Sequence, residues 1–221
     1  MTRVEEAIKK DVVDQLYWDT RVDASDVQVE VNGGTVVLTG SVPTHAALRA
    51  ALYDAWSVVG AVDVESRLDV RLPPSVLPPS DEELAGTIAS VLHLDPDIGS
   101  VDIRVSANDG VVTLAGSVTT YWAKMHAEET AGRCSGVRDV KNLLNVVPTE
   151  DAIDKNIADD IVRALERNVL VDADSVTVEV NNGEVTLSGA LPSWTARQCA
   201  LEAAMFTRGV LKINDEMGLR V

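Results

Sequence analysis

The sequence predicts an α+β protein built as three tandem αββαβ modules, each a three-stranded sheet with two helices on one face. Three observations predict it. When Gly40, Gly116 and Gly189 are superposed, the 221-residue chain aligns with itself without a gap for about 60 residues. In each copy two alternating apolar runs flank a Gly-Gly, Asp-Gly or Asn-Gly dipeptide, the signature of a hairpin. Each copy also carries two stretches of helical apolar period, one before the hairpin and one after it. The module bounds that follow are 1–72, 80–147 and 152–221.

The first element of each copy is a helix. Ile8, Val12 and Leu16 recur as Leu84, Ile88 and Leu92 and as Ile157, Ile161 and Leu165, one apolar face at i, i+4 and i+8. Ser80 and Glu83 have the spacing of a capping box. The hairpin comes next, Val29-Glu30-Val31-Asn32-Gly33-Gly34-Thr35-Val36-Val37-Leu38-Thr39-Gly40 in the first copy. Gly34, Gly110 and Gly183 fall where a type I′ turn needs positive φ. Val36, Leu38, Gly40 and Val42 share one strand face, so Gly40, and with it Gly116 and Gly189, is expected to open space for the following helix.

Thr44, Thr120 and Ser193 are suitable N-caps for that helix. Behind them Ala47, Ala51 and Ala55 recur as Ala123, Ala127 and Ala131 and as Ala196, Ala200 and Ala204. Three alanines at four-residue spacing mark a face that approaches the sheet closely. The helices end near Gly60, Gly136 and Gly209, and a third strand follows, Val137–Val146 in the second copy, so that strand, helix and strand form a crossover. The linker 73–79 is proline-rich and semi-rigid, and 148–151 is very short, so a fixed arrangement of docked modules is expected.

The run Gly110-Val111-Val112-Thr113-Leu114-Ala115-Gly116-Ser117-Val118, a helix, then Gly136-Val137 and Val140-Lys141-Asn142-Leu143-Leu144, resembles the BON-domain family. The first copy departs at Ala61 and Ser66, where the second has Val137 and Asn142. The third puts Asp215 at the Asn position and Met217 at the second Leu. The resemblance implies a non-enzymatic module, frequent in bacterial envelope proteins linked to osmotic stress, for which phospholipid interaction is proposed. Some members with an added peptidoglycan-type module are associated with potassium. Two functions therefore stand side by side: an envelope binding or scaffolding protein, and a soluble cytoplasmic sensor of a small ligand or ion such as potassium.

Composition narrows the partners. The net charge of −16 is spread over all three copies and the longest basic run is Lys9-Lys10, which excludes a phosphate-backbone footprint and hence nucleic acid. The same charge opposes anionic lipid headgroups. Met1 leads into Val4-Glu5-Glu6-Ala7-Ile8 without a cationic start or apolar run, so as the sequence stands the expectation is cytoplasmic, and periplasmic if a leader has been removed. No apolar stretch of spanning length is present. Cys134 and Cys199 are not equivalent in the repeat and read as two free buried thiols.

No catalytic residue, metal or cofactor is expected. Gly132-Arg133-Cys134-Ser135-Gly136 has nucleophile-elbow spacing, but that device needs a strand entering and a helix leaving, and here the order is reversed. His45, His93 and His126 have no second His or Cys at ligand spacing on their own helices. Asp95-x-Asp97 and Asp172-x-Asp174 read as solvated loop carboxylates.

What packing inside one module does not obviously require is an apolar flank on the second helices. His45, Leu48, Leu52 and Trp56 lie about 110° around from the alanines. Trp194, Leu201 and Met205 repeat part of this stripe; in the second copy Tyr121 and Trp122 begin the helix, with Lys124, Glu128 and Gly132 behind. One sheet is not expected to cover so wide an arc. Trp56, Leu52, Leu48, Tyr121, Trp122, Trp194, Leu201 and Met205 are thus the candidate surface. Either the modules bury it on one another, or it meets a phospholipid, another protein or a second copy in a homo-oligomer.

Overall fold

Each alternating hairpin becomes the first two strands of a sheet. The computed structural model describes residues 2–98, 102–148 and 153–220. The first module runs α1 (Arg3–Trp18), β1 (Val27–Asn32), β2 (Thr35–Val42), α2 (His45–Ser57), β3 (Asp63–Val70). The second runs α3 (Asp81–Leu94), β4 (Asp102–Asn108), β5 (Val111–Val118), α4 (Tyr121–Gly132), β6 (Asp139–Val146). The third runs α5 (Asp154–Glu166), β7 (Val176–Asn181), β8 (Glu184–Leu191), α6 (Trp194–Met205), β9 (Lys212–Leu219). The three sheets have the orders β1-β2-β3, β4-β5-β6 and β7-β8-β9.

The second strand is central in every sheet. β2 pairs antiparallel with β1 from Val27↔Gly40 to Asn32↔Thr35, and parallel with β3 from Thr35↔Asp63 to Val42↔Val70. A parallel partner needs a crossover, which α2 supplies. β7, β8, β9 and α6 repeat the scheme.

The first-helix faces Ile8-Val12-Leu16 and Ile157-Ile161-Leu165 and the alanines Ala51, Ala55, Ala200 and Ala204 enter the same cores as Val36, Leu38, Val185 and Leu187. All nine stripe alanines are buried. Thr44, Thr120 and Ser193 each accept a hydrogen bond from the third following N–H. Ser80 and Glu83 form the full reciprocal capping box, and Thr2 with Glu5 forms a second.

The turns have positive φ at both central residues, Gly33-Gly34, Asp109-Gly110 and Asn182-Gly183. A carboxylate at one equivalent position braces all three. Glu5 accepts from Gly33 N–H at 2.9 Å, Asp81 from Asp109 at 2.9 Å and Gly110 at 3.2 Å, and Asp154 from Asn182 at 2.7 Å and Gly183 at 2.9 Å.

The glycines that close the second strands serve a different neighbour from the one their face suggested. Gly40, Gly116 and Gly189 have φ of +111°, +127° and +138°. A Cβ there would land on the main-chain carbonyl of Asp26, Asp102 or Ser175, at the start of the adjacent strand. The space they keep open is between two backbones, where a side chain would strike the neighbouring carbonyl.

The chain divides into two compact units. One holds Met1–Val91, Val105–Thr113 and Glu128–Lys141; the other holds Leu92–Arg104, Leu114–Ala127 and Asn142–Val221. The middle module is shared between them. Most of the short second linker lies outside the described residues.

Candidate interaction surfaces and a histidine–carboxylate cluster

Within the first unit the stripe on α2 is divided between two neighbours. Leu52 packs on its own module's core, and Leu48 on a smaller cluster of Val42, Ala47 and Val70. The arc is therefore partly covered from within the module, because β3 extends the apolar floor through Leu68 and Val70. At the start of α2 the His45 ring lies where a Cβ at Gly132 would stand, so α2 and α4 approach through a glycine. Arg49 faces Glu128 at 3.7 Å beside that approach. Burial, and then the Arg49 charge, lowers the pKa of His45. Trp56 is half-buried.

Within the second unit Tyr121 packs against the third module's core, as Leu201 does from its own helix. Trp122 meets Phe206 at 6.3 Å between ring centroids. Trp194 is only 9% exposed, and Met205 is half-buried. All eight residues of the candidate surface are thus partly or wholly covered.

The exposed aromatics lie elsewhere, at the end of α1. Tyr17 and Trp18 are 74% and 78% exposed, edge-on to each other at 5.2 Å. Tyr53, also exposed, sits under the Arg21 guanidinium at 5.9 Å. A groove of about 350 Å³ opens beside them, lined by Val13, Leu16, Tyr17, Val22, Val27 and Val29. The repeat offered a signal here. Trp18 corresponds to Leu94 and Arg167, so the first copy alone places adjacent aromatics after the buried face of its first helix.

A second common feature follows that helix. Asp19, Asp95 and Asn168 are equivalent, and each side-chain oxygen accepts the N–H two residues on, at 2.8, 3.0 and 3.0 Å. Around this shared turn the three modules differ. In the first, Arg21 grips Asp19 with Nε at 3.0 and 2.9 Å, and Asp54, fully buried, lies beside them with Gln15 at 3.5 Å. Burial and then the Asp19 charge push the Asp54 carboxyl up to about 6, and the Arg21 hydrogen bonds hold Asp19 down at about 2. In the second, His126 of α4 reaches Asp95 at 2.9 Å, and Asp97 brings its carboxylate to the same place. His126 also stacks on Trp122, 4.8 Å between centroids and 7° between planes. Spacing along the histidine's own helix could not reveal this cluster, because its partners come from a loop 31 residues earlier.

Cys134 and Cys199 are free but half-buried rather than buried. Cys134 follows α4, lines a surface groove with Leu77 and Leu84, and points Sγ at the Thr130 carbonyl. Burial raises its thiol pKa, the opposite of what a thiolate nucleophile requires.

The BON-domain family model matches residues 5–71, 80–148 and 153–220. The chain belongs to the BON-domain family. One position of the BON pattern now has a mechanical reading. Asn142, Ser66 and Asp215 each accept the N–H two residues on, from Leu144, Leu68 and Met217. Asn142 also donates to the Lys124 carbonyl on α4 at 2.8 Å. In the third module Arg197, at the Lys124 position, reaches Asp215 at 2.6 Å instead. At this position the departures keep the turn, and the third module exchanges a hydrogen bond to the helix for an ion pair.

Among BON relatives, the chain is 31% identical to osmotically-inducible protein Y of Escherichia coli (strain K12) over 124 residues, 55% of this chain and 62% of that protein. It is 32% identical to outer membrane lipoprotein DolP of Haemophilus influenzae over 139 residues, 62% of this chain and 68% of that protein. The matched stretch therefore spans less than two thirds of the first relative's length. Among solved structures, CdsD of the Chlamydia trachomatis type III secretion system aligns over 96% of this chain and 91% of its own, at 14% identity and a TM-score of 0.28. Among the described residues no helix is long and apolar enough to cross a membrane.

Proposed function

We propose that this chain is a non-enzymatic interaction protein of the bacterial envelope, serving osmotic-stress or envelope maintenance by contact with a phospholipid or protein surface. Three BON matches along the chain, with one relative named for osmotic induction and another for the outer membrane, carry this reading. They favour the envelope over the cytoplasmic alternative. The raised Cys134 thiol argues against that cysteine as a nucleophile.

The contact surface we assign is the end of α1, where Val13, Tyr17, Trp18 and Tyr53 stand exposed beside an apolar groove. Paired aromatics with polar tips suit the boundary between headgroups and acyl chains. Asp11, Asp14, Asp19 and Asp23 lie nearby in sequence and the local cations Lys10 and Arg21 are already paired with Asp14 and Asp19, so the attraction is apolar rather than electrostatic. Flotation with phosphatidylcholine vesicles tests it. The full chain should float with neutral vesicles, less with anionic ones, and Y17S with W18S should abolish flotation while leaving the melting temperature unchanged. Flotation that requires anionic lipid, or survives the double substitution, overturns the assignment.

A further inference from the structure

We propose that His126, Asp95 and Asp97 form a binding site for a divalent first-row transition ion of the Zn²⁺ class on the middle module. The ligand atoms of the three side chains lie within 4.8 Å of one another, one imidazole nitrogen and two carboxylate oxygens. That donor set suits Zn²⁺, Ni²⁺ or Cu²⁺ and leaves further positions for water. The parts are held in place before any ion arrives. Asp97 N–H fixes one Asp95 oxygen at 3.0 Å, which leaves the other facing His126 Nε2 at 2.9 Å. Pro96 stiffens the link between the two carboxylates, and Trp122 lies flat on the imidazole.

The internal repeat supplies an independent reason to expect a cation here. At the same turn of the first module the residue equivalent to Asp97 is Arg21, whose guanidinium sits on the Asp19 carboxylate. In the third module the two positions are Asn168 and Leu170, and no charge needs balancing. In the middle module both are acidic, and the facing helix position, Ala50 in the first module and Cys199 in the third, has become His126. The chain supplies its own cation in one copy and needs none in another. In the middle copy it presents a metal-ligating imidazole to two carboxylates.

Binding takes the Nε2 lone pair, so a proton on Nε2 moves to solvent or to Nδ1, and the His126–Asp95 hydrogen bond is replaced by two bonds to the ion.

The test uses the full chain after chelator treatment. Isothermal calorimetry with Zn²⁺ alone should show one site, and Ni²⁺ or Cu²⁺ should quench tryptophan fluorescence with the same stoichiometry. W122F should lose that quenching yet keep the Zn²⁺ heat, which places the ion beside this ring and not near Trp18, Trp56 or Trp194. H126Q should abolish both signals. D97N, a change at an exposed loop carboxylate that leaves folding intact, should weaken both at least tenfold. No heat with Zn²⁺, or an unchanged isotherm in H126Q or D97N, overturns the site and leaves a simple His–Asp pair.

Discussion

At the scale of single residues, Asp54 is the one charged side chain fully buried among the described residues. Its Oδ2 has no donor, and the groups facing it are Gln15 and Asp19, with Arg21 at 3.9 Å and Tyr53 beside it on its own helix. A proton resolves the conflict, because protonated Oδ2 can donate to Asp19, which Arg21 keeps ionised. With its carboxyl raised to about 6, Asp54 binds its proton more tightly folded than unfolded. Its contribution is complete below about pH 4 and is lost as pH rises towards 6. Asp19 runs the other way: its contribution is present above about pH 4 and lost as pH falls towards 2. Asp54→Asn replaces the shared proton by an amide donor, so urea unfolding should show the variant more stable than wild type at pH 7.5, on the order of 2 kcal/mol, and no more stable at pH 3.5. Parallel pH profiles for the two proteins would remove the shared proton. The sequence carried a trace of this site: position 54 lies on the buried face between Ala51 and Ala55, where the other copies have Thr130 and Ala203. What it could not convey was the arrival of Asp19 from another element.

At the scale of elements, the hairpins and both helices of each module were legible because their determinants are local: an alternating run, a dipeptide that tolerates positive φ, and a cap next to a periodic face. The braces were not, since each joins residues 28 or 29 apart and exists only once the helix N-terminus sits over the turn. Asp81→Ala strips both N–H groups of the Asp109-Gly110 turn of their acceptor. It should cost about 1–2 kcal/mol and speed amide exchange first in β4 and β5. The strand glycines offer a sharper contrast. Gly116→Ala forces a Cβ onto the Asp102 carbonyl at φ +127°, and should destabilise by well over ~1 kcal/mol. Gly86→Ala, in the exposed middle of α3 with open space around it, should stabilise by about 0.5–1 kcal/mol. Thermal melts that place both changes on the same side of wild type would contradict the close backbone approach at Gly116.

At the scale of the whole molecule, α4 belongs to both units, its first seven residues to one and its last five to the other. Compared position by position, Lys124, Glu128 and Gly132 read as a copy lacking the apolar flank. Within the first unit the last two are instead the complement of that flank: Glu128 answers Arg49, and Gly132 gives the His45 ring its place. A stripe read from one helix shows that it needs a partner; which residues suit the partner depends on the approach, and a close approach selects glycine over leucine. The substitution that separates these ideas is Gly132→Leu. If α2 and α4 dock through this contact, the new side chain collides with the imidazole. The melting temperature should then drop by several degrees, protease should reach the 73–79 linker sooner, and acrylamide should quench Trp56 more, most clearly in a background where Trp18, Trp122 and Trp194 are phenylalanine. Gly132→Ala should show a smaller version of each effect, and adding His45→Ala to Gly132→Leu should restore part of the loss by clearing the space. A Gly132→Leu protein that melts and cleaves like wild type would mean that the first module is held by its linker rather than by this face.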